Sequence, residues 1–80
     1  MKLQDFIEKF SEQFEETAVT LFNAGTEFKT LDEWSSLSSL FIIAMVDEEY
    51  GVALRGIDLQ RAVTIEELFN IIKEKKSDDI

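Results

Sequence analysis

Between Trp34 and Val46 the chain carries no charged residue, and neither proline nor glycine occurs from Leu37 to Tyr50. A stretch of this length without a helix breaker predicts a helix that begins at Ser35 or Ser36 and ends at Gly51, where a left-handed residue commonly follows a helix. Its side chains form two stripes on roughly opposite sides: Leu40, Ile43, Val46 or Asp47, and Tyr50 on one, and Leu37, Phe41, Ala44 and Glu48 on the other. The helix is therefore either buried all round or presents an apolar surface to a partner.

One further helix is predicted before this one in the sequence and one after it. Apolar residues three or four positions apart predict a first helix over residues 3–18, with Leu3, Phe6, Ile7, Phe10 and Phe14 on one face. Thr64 stands three residues before Glu67, the spacing of a capping box, so a last helix is expected to run from there to about Lys75. Residues 57–61 are expected to form a short helical turn, and the tail 77–80 to fray.

The segment over residues 18–34 lacks helical periodicity and carries residues that favour turns. Spaced apolar residues run through it, which predicts a loop wrapped over the core: Leu21, Phe22, Phe28, Leu31 and Trp34. No strand pattern is found in the sequence. The prediction is one all-α domain over residues 1–76, with three substantial helices, one minor turn and a long first loop.

The composition narrows the classes of function. Eight basic against 17 acidic residues leave a net charge of −9, which repels nucleic acids and anionic membranes and favours partners with basic patches. Without cysteine or histidine the chain has neither a thiolate nucleophile nor the usual general base, and no metal site is predicted. A binding or carrier module is therefore expected, not an enzyme. With neither a transmembrane run nor a signal-peptide pattern, we expect a cytoplasmic protein, and the charge of −9 favours a monomer.

Ser36, at the start of the uncharged helix, is the candidate attachment site. The first amides of a helix lack backbone partners and the helix dipole is positive there, so a phosphate joined to the serine oxygen would be stabilised. Ser39-Leu40 repeats the Ser36-Leu37 pair one turn later and is a competing position. The alternative for Ser35 and Ser36 is a plain helix cap without modification.

Residues across most of the chain resemble the acyl carrier protein family, whose attachment motif is Asp-Ser-Leu at the start of the second helix. Ser36-Leu37 matches that motif, and the acidic-acidic-aromatic cluster that closes with Tyr50 follows fourteen residues after the serine, as is typical of carriers. Glu33-Trp34-Ser35-Ser36-Leu37 is similar to variants with tryptophan before the motif, and Thr64-Ile65-Glu66-Glu67-Leu68 resembles the opening of the family's last helix. The resemblance spans about residues 3–74.

The resemblance implies a four-helix bundle with a short third helix, and 4′-phosphopantetheine linked to Ser36. The thiol of that arm would hold acyl intermediates as thioesters for enzymes of fatty-acid, polyketide or related lipid biosynthesis. Partners implied are a phosphopantetheinyl transferase and acyl-transfer and synthase enzymes with basic docking patches. Ser35 replaces the motif's aspartate: it serves equally as a cap but lacks the carboxylate that transferases are expected to recognise.

Two groups on the same helix are candidate partner-binding residues. Asp47, Glu48 and Glu49 lie where negative charge opposes the helix dipole, and in the family such acidic residues meet basic patches; the alternative is a solvated helix end. An apolar docking stripe is proposed beside Ser36, formed by Leu37, Phe41, Ala44 and Met45, against the alternative that some of these are core. The competing function is an unmodified acidic helical interaction module, a degenerate carrier.

Overall fold

The computed structural model describes residues 1–78, and this part of the chain contains four α-helices and no strand. The helices are Leu3–Ser11 (α1), Ser36–Tyr50 (α2), Gly56–Arg61 (α3) and Ile65–Asp78 (α4). Two short 3-10 turns, Val19–Leu21 and Phe28–Thr30, lie in the long segment between α1 and α2. The prediction of an all-α chain is confirmed for these residues.

A run of aromatic side chains leads from α1 to the start of α2. The buried ring of Phe10 lies 5.4 Å, centroid to centroid, from that of Phe28 and 5.5 Å from that of Phe14. Trp34 meets Phe28 edge to face at 5.1 Å. Because each such pair contributes about 0.5–1.5 kcal/mol beyond the buried area, these contacts hold Trp34 firmly, and with it the entry into α2.

Helix α1 ends at Ser11, seven residues earlier than predicted, and a tight turn replaces its expected last part. The carboxylate of Glu33 accepts hydrogen bonds from the amides of Glu15 and Glu16, at 3.0 and 3.1 Å, and from the Thr17 hydroxyl at 2.7 Å. The Thr17 hydrogen bond, together with those from the amides, lowers the pKa of Glu33. The carboxylate of Glu33, at the far end of the loop, thus accepts hydrogen bonds from backbone amides that would otherwise bond within a longer α1.

The first loop wraps over the core as predicted, with one exception. Phe22 and Phe28 are buried and Leu31 is half-buried, whereas Leu21 was predicted to face inward and is exposed. The loop also caps α4, since carbonyl oxygens of Ala24 and Thr26 accept hydrogen bonds from the first amides of that helix at 3.0 and 3.1 Å. The loop is therefore hydrogen-bonded both to the turn that follows α1 and to the start of α4.

The carboxyl end of α2 is held by a glycine cap and by a lysine of α4. Gly51 adopts a left-handed conformation, with φ of 67°, and donates its N–H to the Asp47 carbonyl at 3.0 Å, as predicted for a helix C-cap. The Lys76 amine donates to the carbonyl of Tyr50 at 2.8 Å, so a side chain of α4 supplies positive charge to the end of α2.

The predicted cap of α4 forms, and the helix is longer than predicted. The Thr64 hydroxyl accepts a hydrogen bond from the Glu67 amide at 3.2 Å, and the Glu67 carboxylate accepts one from the Val63 amide at 2.7 Å. The helix continues to Asp78, where an end near Lys75 was predicted. Of the predicted frayed tail 77–80, residues 79 and 80 lie outside the described residues.

Candidate functional site

A complete capping box forms at the amino end of α2 without a carboxylate. The Ser35 side chain accepts a hydrogen bond from the Ser38 amide at 3.3 Å, and the Ser38 hydroxyl accepts one from the Ser35 amide at 3.1 Å. Ser38 also donates to the carbonyl of Glu33 at 3.0 Å, which satisfies its buried hydroxyl. Ser35 therefore caps the helix, as predicted for a serine in place of aspartate.

Ser36 is the first residue of α2 and is exposed. Within residues 1–78 its hydroxyl makes no hydrogen bond, while the box leaves the amides of Ser36 and Leu37 unpaired by the protein. These two amides and the positive end of the helix dipole favour negative charge at this point. An anionic group on the Ser36 oxygen would stand in a favourable field and face solvent.

Ser39, the competing serine, occupies a different environment. It lies one turn inside α2, is half-buried, and donates its hydroxyl to the carbonyl of Ser36 at 2.7 Å. That hydroxyl is thus engaged in the helix backbone, which leaves Ser36 as the free and accessible serine of the pair.

A cleft of about 390 Å³ opens beside Ser36, between the first turns of α2 and helix α3. Its wall is formed by Lys29, Trp34, Ser39, Gly56, Leu59 and Gln60. The Lys29 amine donates to the carbonyls of Leu59 and Gln60 at 2.8 and 2.9 Å, so it joins the first loop to the end of α3 and places a positive charge in the cleft. Sequence reasoning missed this wall because Lys29 and its acceptors are about 30 residues apart.

The outer face of α2 is apolar next to Ser36. Leu37, Leu40 and Phe41 are 57%, 60% and 47% exposed, and Ala44 is also exposed. The buried face instead carries Ser38, Ile42, Met45 and Val46. Of the two readings of the uncharged helix, the one with an apolar surface open to a partner is therefore supported for residues 37–44.

Met45 does not belong to this outer face. Its side chain is only 6% exposed and packs in the core, which corrects the prediction of an outward docking residue at that position. Because α2 is apolar on every side over this stretch, the sequence pattern alone does not identify the buried face. Met45 follows the exposed Ala44 by one position and lies on the buried face with Ile42 and Val46.

The acidic end of α2 is exposed at Asp47, Glu48 and Glu49. Glu49 lies 3.9 Å from the amine of Lys9 on α1, an exposed pair of small energetic value. Asp47 and Glu48 form no ion pair within residues 1–78. Both are therefore available for contact with a basic surface.

Tyr50, which closes the acidic cluster, packs inward. Its ring lies 5.9 Å from that of Phe6, and its hydroxyl is buried without a hydrogen-bond partner in the described part of the chain. Burial, and then the charges of Asp5 and Glu49, raise the pKa of Tyr50. The aromatic residue thus anchors the end of α2 to α1.

Two broader features concern residues 1–78 as a whole. No group of three or more acidic side chains in this range is arranged to hold a metal ion. None of the four described helices combines the length and the apolar character that crossing a bilayer requires.

Comparison of the chain with protein-family models, with curated proteins and with solved structures gives no match.

Proposed function

We propose that this chain is an acyl-carrier-like protein that bears a phosphopantetheine arm on Ser36 and presents acyl groups to partner enzymes. The observation that carries the proposal is the free, exposed hydroxyl of Ser36 on the first residue of a 15-residue helix, beside two unpaired amides. A phosphodiester at this oxygen gains from those amides and from the helix dipole.

The residues around Ser36 fit such an arm. Lys29 and Ser36 line the same cleft, which combines apolar surface from Trp34 and Leu59 with polar groups from Ser39 and Gln60. A pantetheine chain carries amide and hydroxyl groups along a flexible backbone, and a mixed cleft suits both kinds of surface. When bound, the arm supplies the thiol that holds an acyl group as a thioester.

The protein's own residues contribute attachment, orientation and docking. Ser35 and Ser38 fix the start of α2, so that Ser36 projects from a rigid point. Leu37 and Phe41 offer apolar contact beside it, and Asp47 and Glu48 offer charge further along the same helix. A partner with an apolar spot flanked by basic side chains would match this surface.

One observation favours a second candidate, an unmodified interaction module. Ser35 completes the helix cap but carries no charge, so a transferase that reads an acidic residue before the attachment serine finds none. In that case the same apolar and acidic surface of α2 would act as a protein-binding face, and Ser36 would be only the first residue of the helix.

Incubation with coenzyme A and a broad-specificity phosphopantetheinyl transferase, followed by intact-mass measurement, separates the two. The wild-type chain is expected to gain the mass of one phosphopantetheine group. Ser36→Ala should abolish the gain, because it removes the attachment oxygen.

Ser39→Ala is the matched control, since it removes a hydroxyl one turn away that the helix backbone already engages. It should gain the same mass as the wild type. Absence of any gain with several transferases, while circular dichroism shows a folded chain, would overturn the carrier proposal and favour the interaction module.

A further inference from the structure

A second cleft, of about 300 Å³, lies between α1 and the later turns of α2. Phe41 and Ala44 contribute exposed apolar surface to it from α2, and the largely buried Met45 reaches it only with an edge. Carboxylates line it from both sides, with Glu8 on α1 and Glu12 directly after that helix, and with Glu48 and Glu49 on α2. The cleft thus combines apolar surface with negative charge on two sides.

These charges are poorly balanced within the protein. The cleft contains four carboxylates against one amine, and that amine, Lys9, is already close to Glu49. Glu8, Glu12 and Glu48 make no ion pair within residues 1–78. Glu48 also lies in the last turn of α2, where negative charge opposes the helix dipole. No ion pair within the described residues uses these three charges, so they remain available to a positively charged partner.

We propose that this cleft is a docking site for a basic amphipathic helix of a partner protein. An apolar side chain of that helix would pack on Phe41 and Ala44, and lysine or arginine residues on its two flanks would meet Glu8 and Glu12 on one side and Glu48 on the other. A helix laid in a groove presents residues at this spacing on one face, and its positive charges complement the cleft.

The charge of the chain argues against the other occupant to consider, a second copy. Two molecules with a net charge of −9 would bring like-charged clefts together. The inference adds α1 to the docking surface, and it does not depend on modification of Ser36. A chain that is never modified would still offer this cleft.

A labelled synthetic peptide of about 16 residues, long enough for four helical turns, is a suitable probe. It carries leucines at helical spacing on one face and arginines on both flanks, and a scrambled peptide of the same composition is the control. Fluorescence anisotropy should show saturable binding of the amphipathic peptide and much weaker binding of the scrambled one. Amide shifts in NMR spectra should concentrate at Glu8, Glu12, Phe41 and Ala44.

Paired variants test the cleft itself. Glu8→Gln with Glu12→Gln should weaken binding about three- to tenfold, whereas Glu66→Gln with Glu74→Gln removes the same charge from exposed positions of α4 outside the cleft and should change it little. Phe41→Ala should weaken binding about tenfold, while Leu40→Ala, at a more exposed position of α2 outside the cleft, should not.

Several outcomes would overturn the inference. These are equal binding of the two peptides, equal weakening by the α4 control pair, or shifts centred on Leu37. Self-association of the wild-type chain that Phe41→Ala abolishes would identify a second copy as the occupant. Ser36→Ala should bind the peptide as the wild type does, so failure of the carrier proposal leaves this result intact and can be recognised separately.

Discussion

At the scale of single residues, Ser35 stands where the carrier motif that this chain resembles has an aspartate, which under the proposed function would both cap the helix and be recognised by the transferase. Its side chain accepts the Ser38 amide and completes the capping box, so the structural role is kept. The negative charge before Ser36 is absent. The proposed function therefore predicts that a substitution of Ser35 can change recognition by the transferase without changing the helix cap.

Ser35→Asp is expected to raise the initial rate of phosphopantetheine transfer while leaving the free energy of unfolding within about 0.5 kcal/mol, because aspartate caps a helix about as well as serine. Ser35→Ala is the control: it should lower stability by about 1 kcal/mol through loss of the cap and should not raise the rate. Rates by mass spectrometry and stability by urea unfolding check both. A rate for Ser35→Asp no higher than that of the wild type would contradict the assigned role of the missing charge.

Asp58 is a buried carboxylate that joins α3 to α4. It is 2% exposed, accepts the Arg55 amide at 2.8 Å and lies 3.3 Å from the amine of Lys75. Burial alone raises the pKa of Asp58, but the Arg55 hydrogen bond and the contact with Lys75 outweigh it and hold the pKa below its usual value. Its contribution to stability is therefore present above the unfolded-state pKa of about 3.9 and is lost as the pH falls through the lower folded-state value.

Asp58→Ala is expected to lower the free energy of unfolding at pH 7 by about 1.5–3 kcal/mol, since a hydrogen-bonded buried charge is removed. The difference from the wild type should shrink as the pH falls below about 4. Urea unfolding across this pH range measures it, with Asp32→Ala at an exposed position as the control. A difference that stays constant with pH would contradict the linkage to Asp58.

At the scale of elements, the two glycines at the ends of the connection from α2 to α3 differ in backbone conformation. Gly51 has a left-handed backbone, and an added Cβ would meet no atom within 4 Å. Gly56 opens α3 with an equally open environment and without a positive φ. Any difference between them on substitution is therefore a backbone effect and not a steric clash.

Gly51→Ala should lower the free energy of unfolding by about 1–2 kcal/mol, because a left-handed conformation is unfavourable for alanine. Gly56→Ala should be neutral or raise it by up to about 1 kcal/mol, since alanine is the better helix former. Thermal or urea unfolding of the two variants checks the pair. Equal effects at the two positions would contradict the assignment of Gly51 as the left-handed cap.

The helices show where local pattern suffices and where it does not. The start of α2, its Gly51 cap and the Thr64 cap of α4 depend on neighbouring residues and were predictable. The early end of α1 depends on Glu33, which reaches amides 17 and 18 residues earlier in the chain. No local pattern carries that information, although Phe14 still enters the core as its spacing predicted.

The candidate site likewise has one part that the local sequence predicts and one part that depends on the fold. Ser36 and its cap could be predicted because they are a local arrangement at one helix start. The cleft beside Ser36 could not, because Lys29 and α3 come together only through the fold. Likewise, α2 is apolar on several sides, so the inward position of Met45 is decided by packing against the other helices and not by periodicity.

At the scale of the whole molecule, the dominant feature is an unbalanced charge. The chain carries a net charge of −9, and residues 1–78 contain two ion pairs, Lys9 with Glu49 and Lys75 with Asp58. Self-repulsion of this kind destabilises a folded state and is screened by salt. The acidic surface is thus maintained at some cost in stability.

Raising sodium chloride from about 0.02 M to about 0.5 M is expected to increase stability, because the screening length falls from roughly 20 Å to roughly 4 Å. A gain of about 1 kcal/mol corresponds to a rise in Tm of about 4–8 °C for a domain of this size. Differential scanning calorimetry measures it, and Glu66→Gln with Glu74→Gln should reduce the salt dependence. An unchanged or lower Tm in salt would show that repulsion is not a significant term.

The proposed function requires a phosphopantetheine group on the oxygen of Ser36. The most direct test is fragmentation mass spectrometry of the wild-type chain after incubation with coenzyme A and a phosphopantetheinyl transferase, which locates the added mass among Ser35, Ser36, Ser38 and Ser39. The account predicts a single phosphopantetheine group on Ser36 and an unmodified Ser39. A folded chain that takes up no group, or takes it up at another serine, would contradict it.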